Sequence, residues 1–208
     1  KRSRQLPFRF YNAYLALNEV KEGVGKHKLG SAIRKALDLS VDNIPELKGE
    51  TLVLVDLSGS MSSPLSTSKG KPSTMSLATA GCVLGAIVSA NINGEVWGFG
   101  SRAKKAVFGA GDDVMSRIEK IRAAFVDCGT EIGASFTQAT DNFKKKFSRC
   151  IVITDMQSAD DTWKAVSEYR KRHGDFSMYT IDLSAYKVSC LPKGNGCYQL
   201  AGFSDKLF

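Results

Sequence analysis

Asp56, Ser58 and Ser60 stand at alternate positions in "LVLVDLSGSMSS" (residues 52–63), where a leucine and valine run halts on a carboxylate followed by hydroxyls. Alternate spacing lets an extended segment aim all three side chains to one side. Two further oxygen-bearing residues stand far away in the chain, Thr130 in "CGTEI" and Asp155 in "VITDMQS". The five form an all-oxygen set with two carboxylates, which suits a hard divalent cation, Mg2+ or Mn2+, and not zinc or copper. Because hydroxyls outnumber carboxylates, such a site under-neutralises its ion and leaves room for an acidic ligand, a carboxylate or a phosphate oxygen. The competing reading of "DLSGS" is a serine-rich turn that caps the next helix.

For residues this far apart to meet, the intervening elements must return the chain to one place. Hydrophobic periodicity predicts strands at 51–56, 94–99, 105–108, 149–154, 176–182 and 197–200, and helices at about 75–91, 113–126, 131–147 and 160–172, with a short helical end. Such alternation predicts an α/β, Rossmann-like fold with a mostly parallel central sheet flanked by helices. Ligands gather at the carboxyl ends of strands in such sheets. With strand 51–56 pointing up, the topology brings Thr130 and Asp155 to the same upper edge. Two amphipathic helices come earlier, at 6–20 with Phe10, Tyr14 and Leu17, and at 29–39 with Ile33, Ala36 and Leu37. The chain thus divides into a helical arm at 1–48 and an α/β domain at 49–208.

A chain of 208 residues with 43% hydrophobic content can bury a sizeable core, and its net charge of +8 fits nucleic acid or another acidic partner. Five scattered cysteines without a CxxC pair, and only His27 and His173, argue against zinc and against a secreted disulfide framework. The longest apolar stretch, Leu77 to Ala90, is shorter than the roughly 20 residues a membrane span needs and reads as a buried helix. No membrane association and a cytoplasmic location are therefore expected. The start at Lys1 and the lack of a secretory signal point to a fragment or processed product.

The cations fall into two groups. Lys144, Lys145 and Lys146 would end helix 131–147 about 20 Å below the oxygen set. Arg170, Lys171 and Arg172 would end the next descending helix on the same lower rim. They read either as solvated helix ends or as a basic rim that contacts RNA. At the upper edge, Arg102, Lys104 and Lys105 would occupy a hairpin roughly 10 Å from the cation. Lys69 and Lys71 lie in the polar loop "SSPLSTSKGKPST". These five would neutralise a phosphate approaching the metal. Cys128 reads as a buried thiol, Trp97, Phe99 and Tyr179 as core, and Asp160 and Asp161 as caps of the following helix.

"DLSGS", with Thr130 and Asp155, resembles the metal-ion-dependent adhesion site (MIDAS) of von Willebrand factor A domains: DxSxS, a distant Thr, and an Asp after the fourth strand. The resemblance assigns Asp56, Ser58, Ser60, Thr130 and Asp155 to the metal. "LPFRFYNAY", "IRKALDLSVDNI" and "CYQLAGFSDKLF" further resemble the TROVE family of Ro autoantigen proteins. There a ring of helical repeats, closed by such a domain, binds small noncoding RNAs and the ends of misfolded RNAs. Only the last ring helices fit within residues 1–40. The resemblance implies a non-enzymatic, cation-dependent binding module of a Ro-like RNA-binding ribonucleoprotein, with RNA bound through the parent protein. One alternative is a free-standing A domain whose protein partner supplies a carboxylate to the metal. A remote alternative is a haloacid dehalogenase-like phosphatase with Asp56 as nucleophile, but that chemistry wants a second acid where Ser58 stands.

Overall fold

Leu52 to Val55 are apolar on both sides of an extended segment, and only a strand covered on both faces accommodates such a run. In the computed structural model this segment is central. The structure describes residues 7–20, 23, 25–42, 44–65, 67–68, 71–72, 75–184, 190–192 and 194–202. Helices α1 (Pro7–Glu19) and α2 (Lys26–Val41) precede β1 (Leu47–Asp56), a 3-10 turn (Gly59–Ser62) and the two-residue strands β2 (Thr67–Ser68) and β3 (Lys71–Pro72). There follow α3 (Leu77–Ser89), β4 (Ile92–Phe99), β5 (Ala103–Ala106), α4 (Val114–Arg122) and α5 (Ile132–Ala139). The last elements are β6 (Arg149–Thr154), α6 (Thr162–His173), β7 (Ser177–Asp182) and β8 (Cys197–Ala201). The main sheet runs β5-β4-β1-β6-β7-β8, parallel throughout except for β5 against β4.

The parity of β1 sorts the core into two layers. Val53 and Val55 face α1 to α4 together with Ile151, Ile153 and Ile181, whereas Leu52 and Leu54 face α5 and α6 with Cys150, Val152 and Met178. Phe8, Tyr11, Leu37 and Val41 belong to the first layer, so the two arm helices pack into the same core as the sheet. Helix α3 crosses β1 closely because Gly85 has no side chain: a Cβ there would stand 2.7 Å from Val55 Cγ2. Among the described residues no helix is long and apolar enough to cross a membrane.

Several expected elements end elsewhere, and the helix expected at 113–126 stops at Arg122. Strand β5 begins at Ala103, because Gly100 N–H bonds to Arg102 O and turns the chain at once. Lys104 and Lys105 are therefore strand residues opposite Gly98 and Trp97, and of that trio only Arg102 lies in the turn. The helix expected at 131–147 stops at Ala139, followed by three left-handed residues, Asp141, Asn142 and Phe143. Asp and Asn tolerate that conformation through their short polar side chains. The turn buries Phe143 against Phe136 and Tyr169, and it removes Lys144, Lys145 and Lys146 from any helix end. The expected helical end falls on residues outside those described.

Tyr169 on α6 holds this irregular segment. Its hydroxyl accepts from Phe147 N–H at 2.6 Å and donates to Lys145 O at 3.1 Å, and its ring packs against Phe136, Phe143 and Phe176. Replacing Tyr169 by Phe leaves a buried N–H without its acceptor, a loss of about 1–3 kcal/mol. Urea unfolding should show Tyr169→Phe destabilised by that amount with an unchanged m value; a change below about 0.5 kcal/mol would mean the hydroxyl does not hold the turn.

Candidate metal centre

The carboxyl end of β1 lies in the middle of the sheet, so Asp56 has no solvent to turn to and is fully buried. Its Oδ1 accepts Ser58 N–H at 2.9 Å and its Oδ2 accepts the Thr154 hydroxyl at 2.6 Å. The 3-10 turn that follows is pinned by Met61, which is buried beside Gly81 of α3. Within this turn Ser58 Oγ and Ser60 Oγ stand 3.3 Å apart. Gly59 N–H bonds to Cys128 O and joins the turn to the loop carrying Thr130.

Asp155 follows β6 directly and is 1% exposed. Its Oδ1 accepts Gln157 N–H at 3.2 Å. The next residue, Met156, is buried with φ of 68°, a conformation that L residues other than Gly rarely adopt. Thr130 O accepts Ala159 N–H at 2.8 Å, which ties the Thr130 loop to the Asp155 loop. The three loops expected to converge thus meet at one mouth, joined by backbone hydrogen bonds.

The donor set fits a hard cation on a specific ground: two buried carboxylates stand on adjacent strand ends, and among the described residues neither has a Lys or Arg partner. Burial pushes the Asp56 carboxyl up to about 6; the hydrogen bonds from Ser58 and Thr154 oppose this, and the negative charge of Asp155 adds to it. No cluster of three His, Cys, Asp or Glu side chains able to hold a metal occurs among the described residues, so a cation here must draw on hydroxyls as well. Asp56, Ser58, Ser60, Thr130 and Asp155 would be its ligands.

Of the eleven cations singled out in the sequence, five are committed within the fold. Lys105 and Lys145 both pair with Glu95, at 2.9 and 3.0 Å, and Lys104 Nζ donates to Ala123 O. Arg170 donates to Phe176 O, Asn195 O and Gly196 O and lies over Trp163, while Arg172 donates to Asn142 O and lies over Phe143. Lys144 is exposed beside Asp141, and Lys146 and Lys171 are exposed. Arg102 is exposed and its charge acts on Asp127. Lys69 and the Lys71 side chain lie outside the described residues.

Other expectations change as well. Cys128 is exposed, because its loop has no layer above it. Trp97 and Tyr179 are half-buried and Phe99 is fully buried. Asp161 caps α6, but Asp160 reaches across to the first turn of α5 instead. Sequence reading passed over Asp182, buried at the end of β7, whose Oδ1 accepts Ser184 N–H at 3.0 Å. Three strands adjacent in the sheet, β1, β6 and β7, thus lead into the same aspartate turn, in which the carboxylate accepts the N–H two residues on. The triplet "DLS" recurs at 38–40, 56–58 and 182–184, and since the first copy lies within α2 the repeat did not single out this turn.

This is an α/β, Rossmann-like fold, a mostly parallel sheet flanked by helices. Within that class it resembles the Deinococcus radiodurans RO (RSR) protein, with a TM-score of 0.73 at 19% identity over 99% of this chain and 43% of that one. The chain therefore spans less than half of that neighbour's length. Solved structures with lower similarity include the VWA domain of SpRpn10, TM-score 0.48 at 11% identity, covering 76% of this chain and 88% of that one. Another is manganese-loaded Plasmodium vivax TRAP protein, TM-score 0.41 at 17% identity, covering 74% and 68%. The sequence matches no family model and no curated protein.

The raised Asp56 carboxyl has a definite sign. Between its ordinary value of 3.8 and about 6 the folded state holds a proton that the unfolded state has lost, so stability falls as pH rises through this window. The shift corresponds to about 3 kcal/mol at most. Metal-free Asp56→Asn should therefore be more stable than the parent above pH 6, with the gap closing toward pH 4. Equal stability of the two proteins across that range would show that Asp56 carries no buried charge.

Proposed function

We propose that this chain is a non-enzymatic, divalent-cation-dependent binding module of a Ro-like ribonucleoprotein. Asp56, Ser58, Ser60, Thr130 and Asp155 hold Mg2+ or Mn2+ and leave a coordination position for an acidic ligand. The observation that carries this reading is the pair of buried carboxylates, Asp56 and Asp155, without a cationic partner among the described residues, at a mouth lined by hydroxyls. A bound divalent cation supplies the missing countercharge and polarises the ligand's oxygen. The parent protein binds small noncoding or misfolded RNA in the cytoplasm, in keeping with the TROVE resemblance of the flanking segments. RNA contacts within this chain fall to the exposed Arg102, Lys144, Lys146 and Lys171, with Lys69 and Lys71 as further candidates. Lys104, Lys105, Lys145, Arg170 and Arg172 are engaged within the fold.

The module holds its ligand without turning it over. Hydrolysis or phosphoryl transfer needs a positioned acid or base beside the nucleophile. His173 Nε2 is engaged with Phe143 O at the foot of α6, and His27 lies on α2. The free-standing A-domain alternative keeps the same metal site and differs in its ligand, a carboxylate from a protein partner. Calorimetric titration with Mg2+ and Mn2+ should show one site in the parent and none in folded Asp56→Ala. RNA titrations with and without chelator, over a range of salt, separate the two ligand readings. Unchanged metal affinity in Asp56→Ala would defeat the site. Cleavage of phosphoesters or single-stranded RNA that disappears in Asp56→Asn would defeat the non-enzymatic reading.

A further inference from the structure

Thr130 is the one proposed ligand that no strand end delivers. It sits in the loop between α4 and α5, and the residue after it, Glu131, stands at the N-cap of α5 without a side-chain capping bond. The missing cap comes from the other side of the mouth. Asp160 Oδ1 accepts Gly133 N–H at 3.1 Å and Oδ2 accepts Ala134 N–H at 2.7 Å. The hydroxyls of Ser158 and Thr162 complete its bonds at 2.8 and 3.4 Å. Contact is so close that a Cβ on Gly133 would stand 2.9 Å from Asp160 Oδ2 and 3.1 Å from Thr162 Cα.

A second carboxylate grips the opposite flank. Asp127 Oδ1 accepts Ser101 N–H at 2.7 Å and Gly129 N–H at 3.1 Å, and Oδ2 accepts the Ser101 hydroxyl at 2.6 Å. Glu131 N–H bonds to Gly100 O in the same β4–β5 turn. With four donors on Asp160 and three on Asp127, both carboxylates are used up within the protein, which suits support and not ligation. Carboxylates accepting backbone N–H groups make stronger bonds than neutral acceptors do.

Resting on the metal reading above, we infer that Asp160 and Asp127 are positioning residues that fix Thr130 for ligation, Asp160 from the Asp155 loop and Asp127 by tying the Thr130 loop to Ser101 in the β4–β5 turn. Supporting residues of this kind typically change metal affinity 10–100-fold when removed.

The test is a double-mutant cycle read by Mn2+ affinity. Asp160→Ala and Asp127→Ala, made singly, should each weaken Mn2+ binding about tenfold or more. In a Thr130→Ala background the same substitutions should change it less than about twofold, because the residue they act through is gone. Water-proton relaxation should count one more water on Mn2+ in Asp160→Ala, as in Thr130→Ala, a change that general loosening of the fold does not produce. Should Asp160→Ala fail to fold, Asp160→Asn keeps the volume but, in either amide orientation, sets its NH2 against one of the two backbone N–H groups, Gly133 or Ala134, and should behave alike. Effects that multiply undiminished in the Thr130→Ala background, or an unchanged water count, would overturn the inference and leave the metal site standing. A parent protein that binds no Mn2+ would overturn the metal reading, and this inference with it.

Discussion

The structure is organised around a buried carboxylate. Asp56 ends the central strand, where neighbouring strands and helices on both faces exclude water, and desolvation there opposes its negative charge. Two hydrogen bonds, from Ser58 N–H and the Thr154 hydroxyl, offset part of that cost. Asp155 sets a second negative group beside it. Like charges held together away from water are tolerated when a cation joins them, and this tension gives the upper edge of the sheet its chemical character.

Much of the surrounding architecture serves to hold the loops that carry these groups. The 3-10 turn after β1 is pinned by Met61 in the α3 layer, and it holds the Ser58 and Ser60 hydroxyls beside one another just after Asp56. The β6–α6 loop passes through a left-handed Met156, and its Asp160 caps α5 on the far side of the mouth. The basic residues have a different role. Glu95 gathers Lys105 and Lys145 on the sheet, and Arg170 joins α6 to the segment before β8 through backbone carbonyls. Several cations that look free in the sequence therefore hold the fold together.

The sequence carried the fold class plainly, because alternation between period-2 and period-3.6 patterns is a local signal that sheet burial reinforces. Its convergence of Asp56, Thr130 and Asp155 followed from strand direction alone, and the structure places those loops together. What escaped depends on contacts distant in sequence. Nothing local distinguishes Asp160 as a cap of α5 from Asp160 as a cap of α6. The left-handed run at Asp141 to Phe143 breaks a helix whose apolar spacing continues to Phe147, and tertiary burial of Phe143 decides it. Lys104 and Lys105 moved into β5 because the turn at Gly100 to Arg102 is tighter than Val107 and Phe108 implied. The Asp182 turn repeats "DLS", but the same triplet stands inside α2 at 38–40, and no spacing tied Asp182 to the other oxygens.

The central claim is that one divalent cation is held where these three loops meet. Adding substoichiometric Mn2+ to isotopically labelled protein and recording backbone amide spectra tests it most directly, since the paramagnetic ion broadens only nearby signals. The account predicts broadening of the amides of Ser58, Ser60, Thr130 and Gln157, with those of Lys144 to Lys146 and Lys171 left sharp. Broadening centred elsewhere, or none at all, would contradict it.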